Sequence, residues 1–166
     1  MISQRRWSRD AGELGEVGHQ SAARHHREDG LQVLLLVELQ SVVDLPVEVD
    51  FLEASSYGDG TESSREVRIL KDLRGEIAGR DVLVVEDIID TGLTLSYLMR
   101  NLASRNPASL EIMTMFRKPE ASEMDVEVKY VGYDIPNKFV VGYGLDYDGR
   151  YRNLRDLAVL APHIYS

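Results

Sequence analysis

The stretch DVLVVEDIIDTGLTL, Asp81 to Leu95, decides the fold. Its first part, Val82 to Val85, is a continuous apolar and largely β-branched run, which is typical of a short strand covered on both faces. We expect this strand to end in the acidic pair Glu86-Asp87. A short loop follows, and a helix is expected to begin near Gly92. The stretch therefore predicts a strand, a tight loop and a helix in immediate succession.

The flanking segments extend this pattern into an α/β protein. Apolar residues at helical spacing predict a helix from Gly92 to Ser104. The polar, glycine-bearing run Ser55 to Ser64 predicts a mobile loop, and Gly75 and Gly79 bracket a turn. A strand, a helix and a strand in this order imply a parallel βαβ unit. Alternating apolar and acidic residues predict a strand at Val47–Phe51. Further strands are expected at Val67–Ile69, Leu110–Phe116, Val126–Val131 and Phe139–Val141.

The composition limits the classes of function. The chain has 166 residues, no Cys and a formal net charge of -9. The missing thiols exclude disulfides and thiolate sites, and the acidic balance disfavours nucleic acid and anionic membranes as partners. No apolar run approaches the roughly 20 residues of a membrane span. Met1 to Asp10 is arginine-rich but has no apolar signal-peptide core after it. A cytoplasmic protein is expected.

The loop after the predicted strand suits an anionic ligand. Ligands of parallel sheets bind beyond the carboxyl ends of the strands. Asp90, Thr91, Gly92 and Thr94 are small, acidic or hydroxylated, and a helix start offers backbone N–H groups to a phosphate. The neighbouring pair Glu86-Asp87 suits sugar hydroxyls or a hydrated Mg²⁺. The simpler alternative is that Asp90 or Thr91 only caps the helix and that the acidic pair is a solvated strand end.

Two segments carry a family resemblance. VEDIIDTGLTL (85–95) resembles the phosphoribosyl-diphosphate signature of type I phosphoribosyltransferases, and YVGYDIPNKFVVGYGLDYDGRYRNL (130–154) is similar to the bacterial hypoxanthine-guanine members of that family. The similarity runs from about residue 44 to 166. It implies a type I phosphoribosyltransferase fold, with a central, mostly parallel sheet flanked by helices. We therefore expect a phosphoribosyltransferase domain over residues 44–166.

The resemblance assigns the phosphoribosyl donor to the central stretch. The 5-phosphate would lie on the loop, and Glu86 and Asp87 would contact the ribose hydroxyls and, through water, Mg²⁺. Asp90 would be the general base at N7 of the incoming purine, helped by the neighbouring phosphate, which raises the affinity of a carboxylate for a proton. The donor-binding residues implied are Glu86, Asp87, Ile88, Ile89, Asp90, Thr91, Gly92, Leu93 and Thr94.

The resemblance places the purine at the downstream segments. Lys118 matches the lysine that contacts the 6-oxo group, although taken alone it would be read as a surface lysine. Phe139 matches the stacking aromatic and Val140 the residue whose backbone reads the purine edge, with Lys138 beside them. The simpler alternative for this segment is a core strand.

The resemblance also places residues at the diphosphate and at a closing loop. Asp146 matches a carboxylate near the base and a second Mg²⁺, and Arg152 an arginine that reaches the diphosphate with its positive fork. The alternative for both is an ordinary surface loop. Ser56-Tyr57 matches a dipeptide of the loop that closes over the site and excludes water.

The activity implied is purine salvage. The phosphoribosyl group would pass to N9 of hypoxanthine or guanine with Mg²⁺ as cofactor, giving IMP or GMP and diphosphate. The partners would be the purine base, phosphoribosyl diphosphate and further copies of the chain in a homo-oligomer, with no nucleic acid and no membrane. The alternatives are a xanthine-preferring enzyme, a regulator that binds phosphoribosyl diphosphate, and an inactive remnant.

The N-terminal part departs from the family pattern. Family members carry a Leu-Lys-Gly diphosphate loop and a helix after the first core strand, whereas Glu38-Leu39-Gln40-Ser41 follows the candidate first strand Leu34–Val37. Every Lys, Phe, Tyr and Pro lies at or after Pro46. We hypothesise that residues 1–43 are an atypical, irregular or truncated segment, altered by a frame shift or an internal deletion. This hypothesis predicts weak or absent activity.

Overall fold

The computed structural model describes residues 30–57, 66–123 and 127–165. The chain divides into a large unit, residues 34–137, and a small unit made of residues 138–166 together with the residues up to Val33. Among the described residues, no helix has the length and apolar character of a membrane span.

A parallel sheet of three strands forms the centre of the large unit. Its strands are β3 (Asp81–Ile89), β4 (Ser109–Arg117) and β5 (Tyr130–Asp134), in the order β3-β4-β5. The helix α2 (Leu93–Ala103) connects β3 to β4, which pair in parallel from Asp81 opposite Ser109 to Ile89 opposite Arg117. The predicted βαβ unit is confirmed. Because β3 and β4 run in parallel, the residues that follow them emerge at the same edge of the sheet.

The apolar stripe of α2 covers one face of this sheet. Leu95, Leu98 and Leu102 recur at helical spacing and are buried. A core cluster joins Leu95 to Ile89 of β3 and Ile112 of β4, with Val84, Met99 and Val128 packed against it. Ile112 is only 1% exposed and pairs with Val84, so this core extends back toward the middle of the two strands.

The opposite face is open near the start of the strands. Leu83 of β3 is 37% exposed, so the expectation that Val82 to Val85 is covered on both faces is wrong for this residue. An apolar groove of about 430 Å³ lies there, lined by Leu39, Leu83, Met113 and Tyr130 among others. The groove lies at the amino ends of the strands, whereas ligands of parallel sheets bind at the carboxyl ends.

The first element described is a helix, which corrects the expected first strand. Helix α1 spans Gly30–Val42 and includes the whole run Leu34–Val37. Thirteen residues without an internal Gly or Pro, rich in Leu, favour a helix over a strand, and a short apolar run does not distinguish the two by periodicity. Leu31 and Leu35, four residues apart on this helix, are buried.

The strand expected at Val47–Phe51 is also displaced. Residues 43–52 are irregular, and the strand β1 spans Glu53–Tyr57, pairing with β2 (Glu66–Lys71) in antiparallel fashion. The carboxylate of Asp50 accepts the backbone N–H groups of Phe51 at 2.9 Å and of Arg74, 24 residues further on, at 2.6 Å. Side-chain bonds, and not a strand ladder, therefore hold this segment. Residues 55–57 of the expected loop belong to β1, and residues 58–65 lie outside the described residues.

The remaining elements agree with the sequence pattern in broad outline. The turn at Gly79 and the strand at Val67–Ile69 are present, and β5 begins at Tyr130, later than the expected Val126, which lies outside the described residues. In the small unit, β6 (Val140–Val141) pairs with β7 (Ala158–Val159). Short 3-10 helices span Pro119–Ala121 and Pro162–Ile164.

Candidate active site

The acidic pair lies inside strand β3, not at its end as expected. Strand β3 continues through Ile88 and ends at Ile89, because both residues pair with β4. Glu86 is half-buried and Asp87 only 7% exposed, and as neighbours on a strand they leave from opposite faces of the sheet. Oδ1 of Asp87 accepts the N–H of Ile88 at 2.7 Å.

The loop between β3 and α2 has three residues, Asp90, Thr91 and Gly92, and lies beyond the carboxyl end of β3 as predicted. Gly92 precedes the helix with φ 76° and ψ 1°, a left-handed conformation that glycine adopts without strain. Its carbonyl accepts the N–H of Ser96 at 2.8 Å, the first bond of the helix. Since glycine has no side chain to cap the helix, the first N–H groups of α2 face the loop.

Thr91 joins this loop to a second segment. Its carbonyl oxygen accepts the N–H of Glu123 at 3.1 Å, and its hydroxyl oxygen lies 3.5 Å from the N–H of Leu93. The second distance is long for a hydrogen bond, so Thr91 is a weak helix cap at most. The backbone of Thr91 therefore joins the loop to the segment after β4. The Thr91 hydroxyl can still donate a hydrogen bond to a ligand.

Lys118 and Asp90 form an ion pair at the same sheet edge. Nζ of Lys118 donates to Oδ2 of Asp90 at 2.6 Å, and the Lys118 N–H donates to the carbonyl of Ile89 at 2.9 Å. The Lys118 side chain is 7% exposed and that of Asp90 is 53% exposed. Lys118 is thus a buried cation and not a surface lysine, and its partner remains open to a ligand.

A second ion pair fixes the strand end beside Lys118. Arg117 donates twice to the carboxylate of Asp134, at 2.7 and 3.0 Å, in a bidentate fork. This hydrogen bonding lowers the pKa of Asp134 and raises the pKa of Arg117. The Ile135 N–H donates to the Arg117 carbonyl at 2.8 Å. Together these bonds fasten the end of β5 to the residue that precedes Lys118.

In the small unit, Phe139 presents a ring to solvent while its neighbours are buried. Phe139 is 36% exposed, whereas Val140 and Val141 are 6% and 0% exposed. The Phe139 carbonyl accepts the N–H of Leu160 at 2.8 Å. The core-strand alternative therefore describes the two valines and does not describe Phe139.

Asp146 and Arg152 contact each other in the small unit. Arg152 donates to Oδ1 of Asp146 at 2.7 Å and to the carbonyl of Gly144 at 2.8 Å. Oδ2 of Asp146 accepts the N–H of Gly149 at 2.7 Å. Both side chains are about one-quarter to one-third exposed, so the pair is held within the loop and remains partly accessible to solvent.

The structure gives fewer contacts for the remaining predicted site residues. Ser56 and Tyr57 are the last residues of β1, and Lys138 is exposed. The predicted site residues fall in both units: Asp90, Thr91, Gly92 and Lys118 come together in the large unit, and Asp146 and Arg152 in the small one. Sequence reasoning missed Tyr147 and Tyr165, whose rings contact Phe139. Tyr147 lies within the segment that carries the family resemblance but received no role there, and Tyr165 lies outside it. Contacts at 8 and 26 residues from Phe139 leave no spacing signal.

The oxygen donors of the large unit fit a magnesium ion shared with a substrate. Among the described residues, no group of three or more His, Cys, Asp or Glu side chains could hold a metal ion. Mg²⁺ usually keeps several waters and uses one or two carboxylates with substrate phosphates. Glu86, which is half-buried, fits such a carboxylate, whereas Asp87 is buried and leaves from the opposite face of the sheet.

Comparison with known proteins identifies the class. A family model described as the phosphoribosyl transferase domain matches residues 33–148, and the chain belongs to this family. Its fold is the type I phosphoribosyltransferase fold, with the parallel sheet and its helix as described above.

Several relatives of this chain are named hypoxanthine-guanine phosphoribosyltransferases. The enzyme of Mycobacterium bovis is 56% identical over 133 residues, which cover 80% of this chain and 66% of that protein. The Streptococcus thermophilus enzyme is 52% identical over 134 residues, covering 81% and 74%. This chain thus spans slightly less than two thirds of the mycobacterial relative's length.

Solved structures give the same class. A hypoxanthine phosphoribosyltransferase from Staphylococcus aureus matches with a TM-score of 0.74 and 47% identity, covering 81% of this chain and 73% of that one. A hypoxanthine phosphoribosyltransferase from Trypanosoma cruzi in a ternary substrates complex matches with a TM-score of 0.75 and 44% identity, covering 85% and 75%.

Proposed function

We propose that the chain transfers the phosphoribosyl group of phosphoribosyl diphosphate to N9 of hypoxanthine or guanine. The observation that carries this proposal is the ion pair between Lys118 and Asp90, placed directly beside the loop that precedes α2. At one sheet edge, the Asp90 carboxylate would act as a base and the buried Lys118 ammonium would bind a carbonyl oxygen of the purine. The backbone N–H groups beside them would bind a phosphate. The named relatives support the same activity.

The donor's 5-phosphate would be bound by the loop and the first turn of α2. Gly92 has no Cβ, so a phosphate oxygen can approach the backbone, and the helix start carries partial positive charge. Thr91 and Thr94 add hydroxyl donors, while Ile88 and Ile89 hold the loop through their strand pairing. Leu93 supplies one of the N–H groups. Glu86, the half-buried member of the acidic pair, would accept a ribose hydroxyl.

Asp90 would take the proton from N7 of the purine as N9 bonds to the ribose C1 and the bond from C1 to diphosphate breaks. Asp90 is half exposed and held by Lys118, so it is both accessible and fixed in orientation. The Lys118 ammonium has three N–H groups, so one can remain on Asp90 while another contacts the 6-oxo oxygen. Proton removal and recognition of the base would thus use one pair of side chains.

The small unit would contribute the stacking ring of Phe139, with the Val140 backbone and Lys138 next to it. Arg152 would meet diphosphate oxygens, and Asp146 would orient Arg152 through their 2.7 Å contact and supply a carboxylate to a second Mg²⁺. When bound, Mg²⁺ neutralises the charge that develops on the departing diphosphate. Of the acidic pair, Glu86 is the half-buried carboxylate that would hold the first ion through water. Ser56 and Tyr57 would belong to a closing segment that excludes water.

The test is a steady-state assay of GMP formation from guanine and phosphoribosyl diphosphate. Because the Leu-Lys-Gly loop is absent from the sequence, we expect turnover below the ordinary enzyme range of ~1–1000 s⁻¹. Asp90→Asn should lower the rate by a further ~100- to 10,000-fold. Asp81→Asn, at the opposite end of β3, is the matched control and should leave the rate unchanged.

The outcomes separate the two parts of the proposal. Turnover within the ordinary range would refute the impairment while supporting the activity. A rate for Asp90→Asn equal to that of the unaltered chain would refute the role of Asp90.

Competition among guanine, hypoxanthine and xanthine in the same assay ranks the bases. Fractionation of cells would test the expected cytoplasmic location, and sedimentation the expected homo-oligomer.

A further inference from the structure

Phe139 belongs to a cluster of three aromatic rings in the small unit. The ring of Tyr165 stacks on it, with centroids 5.0 Å apart and planes inclined by 28°. Tyr147 meets it edge-on, with centroids 5.6 Å apart and planes at 89°. Both arrangements are among those that aromatic pairs prefer. Two neighbours therefore set the orientation of the Phe139 ring.

Backbone bonds hold Tyr165 in this position. The Tyr147 hydroxyl donates to the Ile164 carbonyl at 3.0 Å, and the Tyr165 N–H donates to the Pro162 carbonyl at 3.2 Å. The Leu160 N–H donates to the Phe139 carbonyl at 2.8 Å. None of these bonds uses the Tyr165 side chain. Replacing that side chain therefore removes the stacked ring and leaves the bonds that carry it.

We propose that Tyr165 is a positioning residue for purine recognition, which backs one face of Phe139 so that the other face is presented to the base. The inference rests on the proposed function, since it requires Phe139 to stack on the purine. Phe139 remains 36% exposed although two rings contact it, so surface is left for a third. An exposed ring without support loses rotational freedom when it binds, whereas a ring that is already held loses less.

A competing role for Tyr165 predicts the opposite change in affinity for the base. If Tyr165 occupied the face that the purine needs, removing its ring would strengthen binding of the base. If Tyr165 supports Phe139, removing the ring weakens it. The direction of the change in affinity therefore decides between support and competition.

The experiment compares binding of GMP with binding of ribose 5-phosphate, which lacks the base, by isothermal titration in the presence of Mg²⁺. Tyr165→Leu should weaken GMP binding by about 3- to 10-fold and leave ribose 5-phosphate binding unchanged. Tyr165→Phe keeps the ring and should restore GMP binding to within about twofold of the unaltered chain. Tyr130→Leu, an exposed tyrosine of β5 in the large unit, is the matched control and should change neither affinity.

A second variant protects the test against loss of folding. Tyr147→Phe keeps its ring but removes the hydroxyl bond to Ile164, and it should weaken GMP binding in the same direction and by less. Unchanged or tighter GMP binding in Tyr165→Leu overturns the inference. Phe139→Leu distinguishes failure of the inference about Tyr165 from failure of the proposed function. If this variant binds GMP normally, the stacking role of Phe139 itself is wrong. If Phe139→Leu weakens GMP binding and Tyr165→Leu does not, only the inference about Tyr165 fails.

Discussion

Nζ of Lys118 lies 2.6 Å from Oδ2 of Asp90, although 28 residues separate them in the chain. The contact follows from the parallel pairing of β3 and β4, since Asp90 comes directly after the first strand and Lys118 directly after the second. The bond from the Lys118 N–H to the Ile89 carbonyl continues the ladder by one step. The sheet itself therefore places a buried cation against an open carboxylate.

The two members of this pair should differ in their effect on stability. Asp90→Asn leaves the buried ammonium of Lys118 without a counter-charge, whereas Lys118→Met leaves a carboxylate that water reaches. We expect Asp90→Asn to lower the free energy of unfolding by ~1–3 kcal/mol and Lys118→Met to lower it by less than ~1 kcal/mol. Urea unfolding of the two variants measures this difference. A larger loss in Lys118→Met would contradict the assignment of the buried member.

Gly92 should matter for both conformation and ligand approach. Gly92→Ala forces a Cβ into a left-handed conformation at φ 76°, at a cost of ~1–2 kcal/mol, and places a methyl group where a phosphate would approach. Ribose 5-phosphate binding, followed by titration calorimetry, should fall by about 10-fold or more, as expected for loss of a charge-assisted contact.

Gly79 provides the matched control for that substitution. It has φ 72°, and nothing lies within 4 Å of the position of an added Cβ. Gly79→Ala should therefore reproduce the conformational destabilisation and leave ribose 5-phosphate binding intact. Equal loss of binding in both variants would show that strain, and not access to the backbone, accounts for the effect.

The pair Arg117–Asp134 should make stability depend on pH in a defined direction. Hydrogen bonding from Arg117 holds the pKa of Asp134 below its ordinary value of 3.8. A depressed pKa in the folded state stabilises the protein above the unfolded pKa, and this contribution is lost as the pH falls through the folded pKa. Asp134→Asn should therefore lower the urea midpoint at pH 7, and the difference from the unaltered chain should shrink as the pH falls below 3.8.

Asp44→Asn is the control for this titration, because Asp44 is an exposed carboxylate in the irregular segment before β1. Its urea midpoint at pH 7 should match that of the unaltered chain. Since both members of the Arg117–Asp134 pair are partly exposed, added salt should also shrink the effect of Asp134→Asn. An effect that grows as the pH falls would contradict the assigned sign.

The sequence predicted the centre of the fold because its signals there are local. The apolar run before Glu86, the small residues of Asp90 to Gly92 and the leucine spacing of α2 each specify one element, and their order implies the parallel connection. The pattern could not show that β3 continues to Ile89, since that depends on pairing with β4. It also could not reveal that Lys118 is buried, because burial depends on chain segments far away in sequence.

The misplaced elements have physical causes of the same kind. The run Leu34 to Val37 is apolar in either secondary structure, and only its helical surroundings over Gly30–Val42 distinguish them. Val47 to Phe51 alternates like a strand, but the Asp50 carboxylate accepts the N–H groups of Phe51 and Arg74, and residues 43–52 form no strand. The contact of Tyr165 with Phe139 left no trace in the pattern, because two aromatic residues 26 positions apart carry no spacing signal.

The two faces of the sheet should respond differently to truncation. Ile112 is 1% exposed beneath α2, whereas Leu83 is 37% exposed on the open face. Ile112→Ala should lower the free energy of unfolding by ~2–5 kcal/mol, and Leu83→Ala, on the neighbouring strand, should lower it by less than half of that amount. Urea unfolding measures both. Equal losses would mean that the open face is covered in solution.

The most direct test of the central claim is thermal unfolding of the unaltered chain with and without Mg-phosphoribosyl diphosphate. A ligand at ~100 times its Kd stabilises the folded state by ~2.7 kcal/mol, so a site at the loop Asp90–Gly92 predicts a clear rise in Tm. The rise should be about half as large or smaller in Gly92→Ala and unchanged in Gly79→Ala. No rise in the unaltered chain, or an equal rise in Gly92→Ala, would contradict the claim that this loop binds the sugar phosphate.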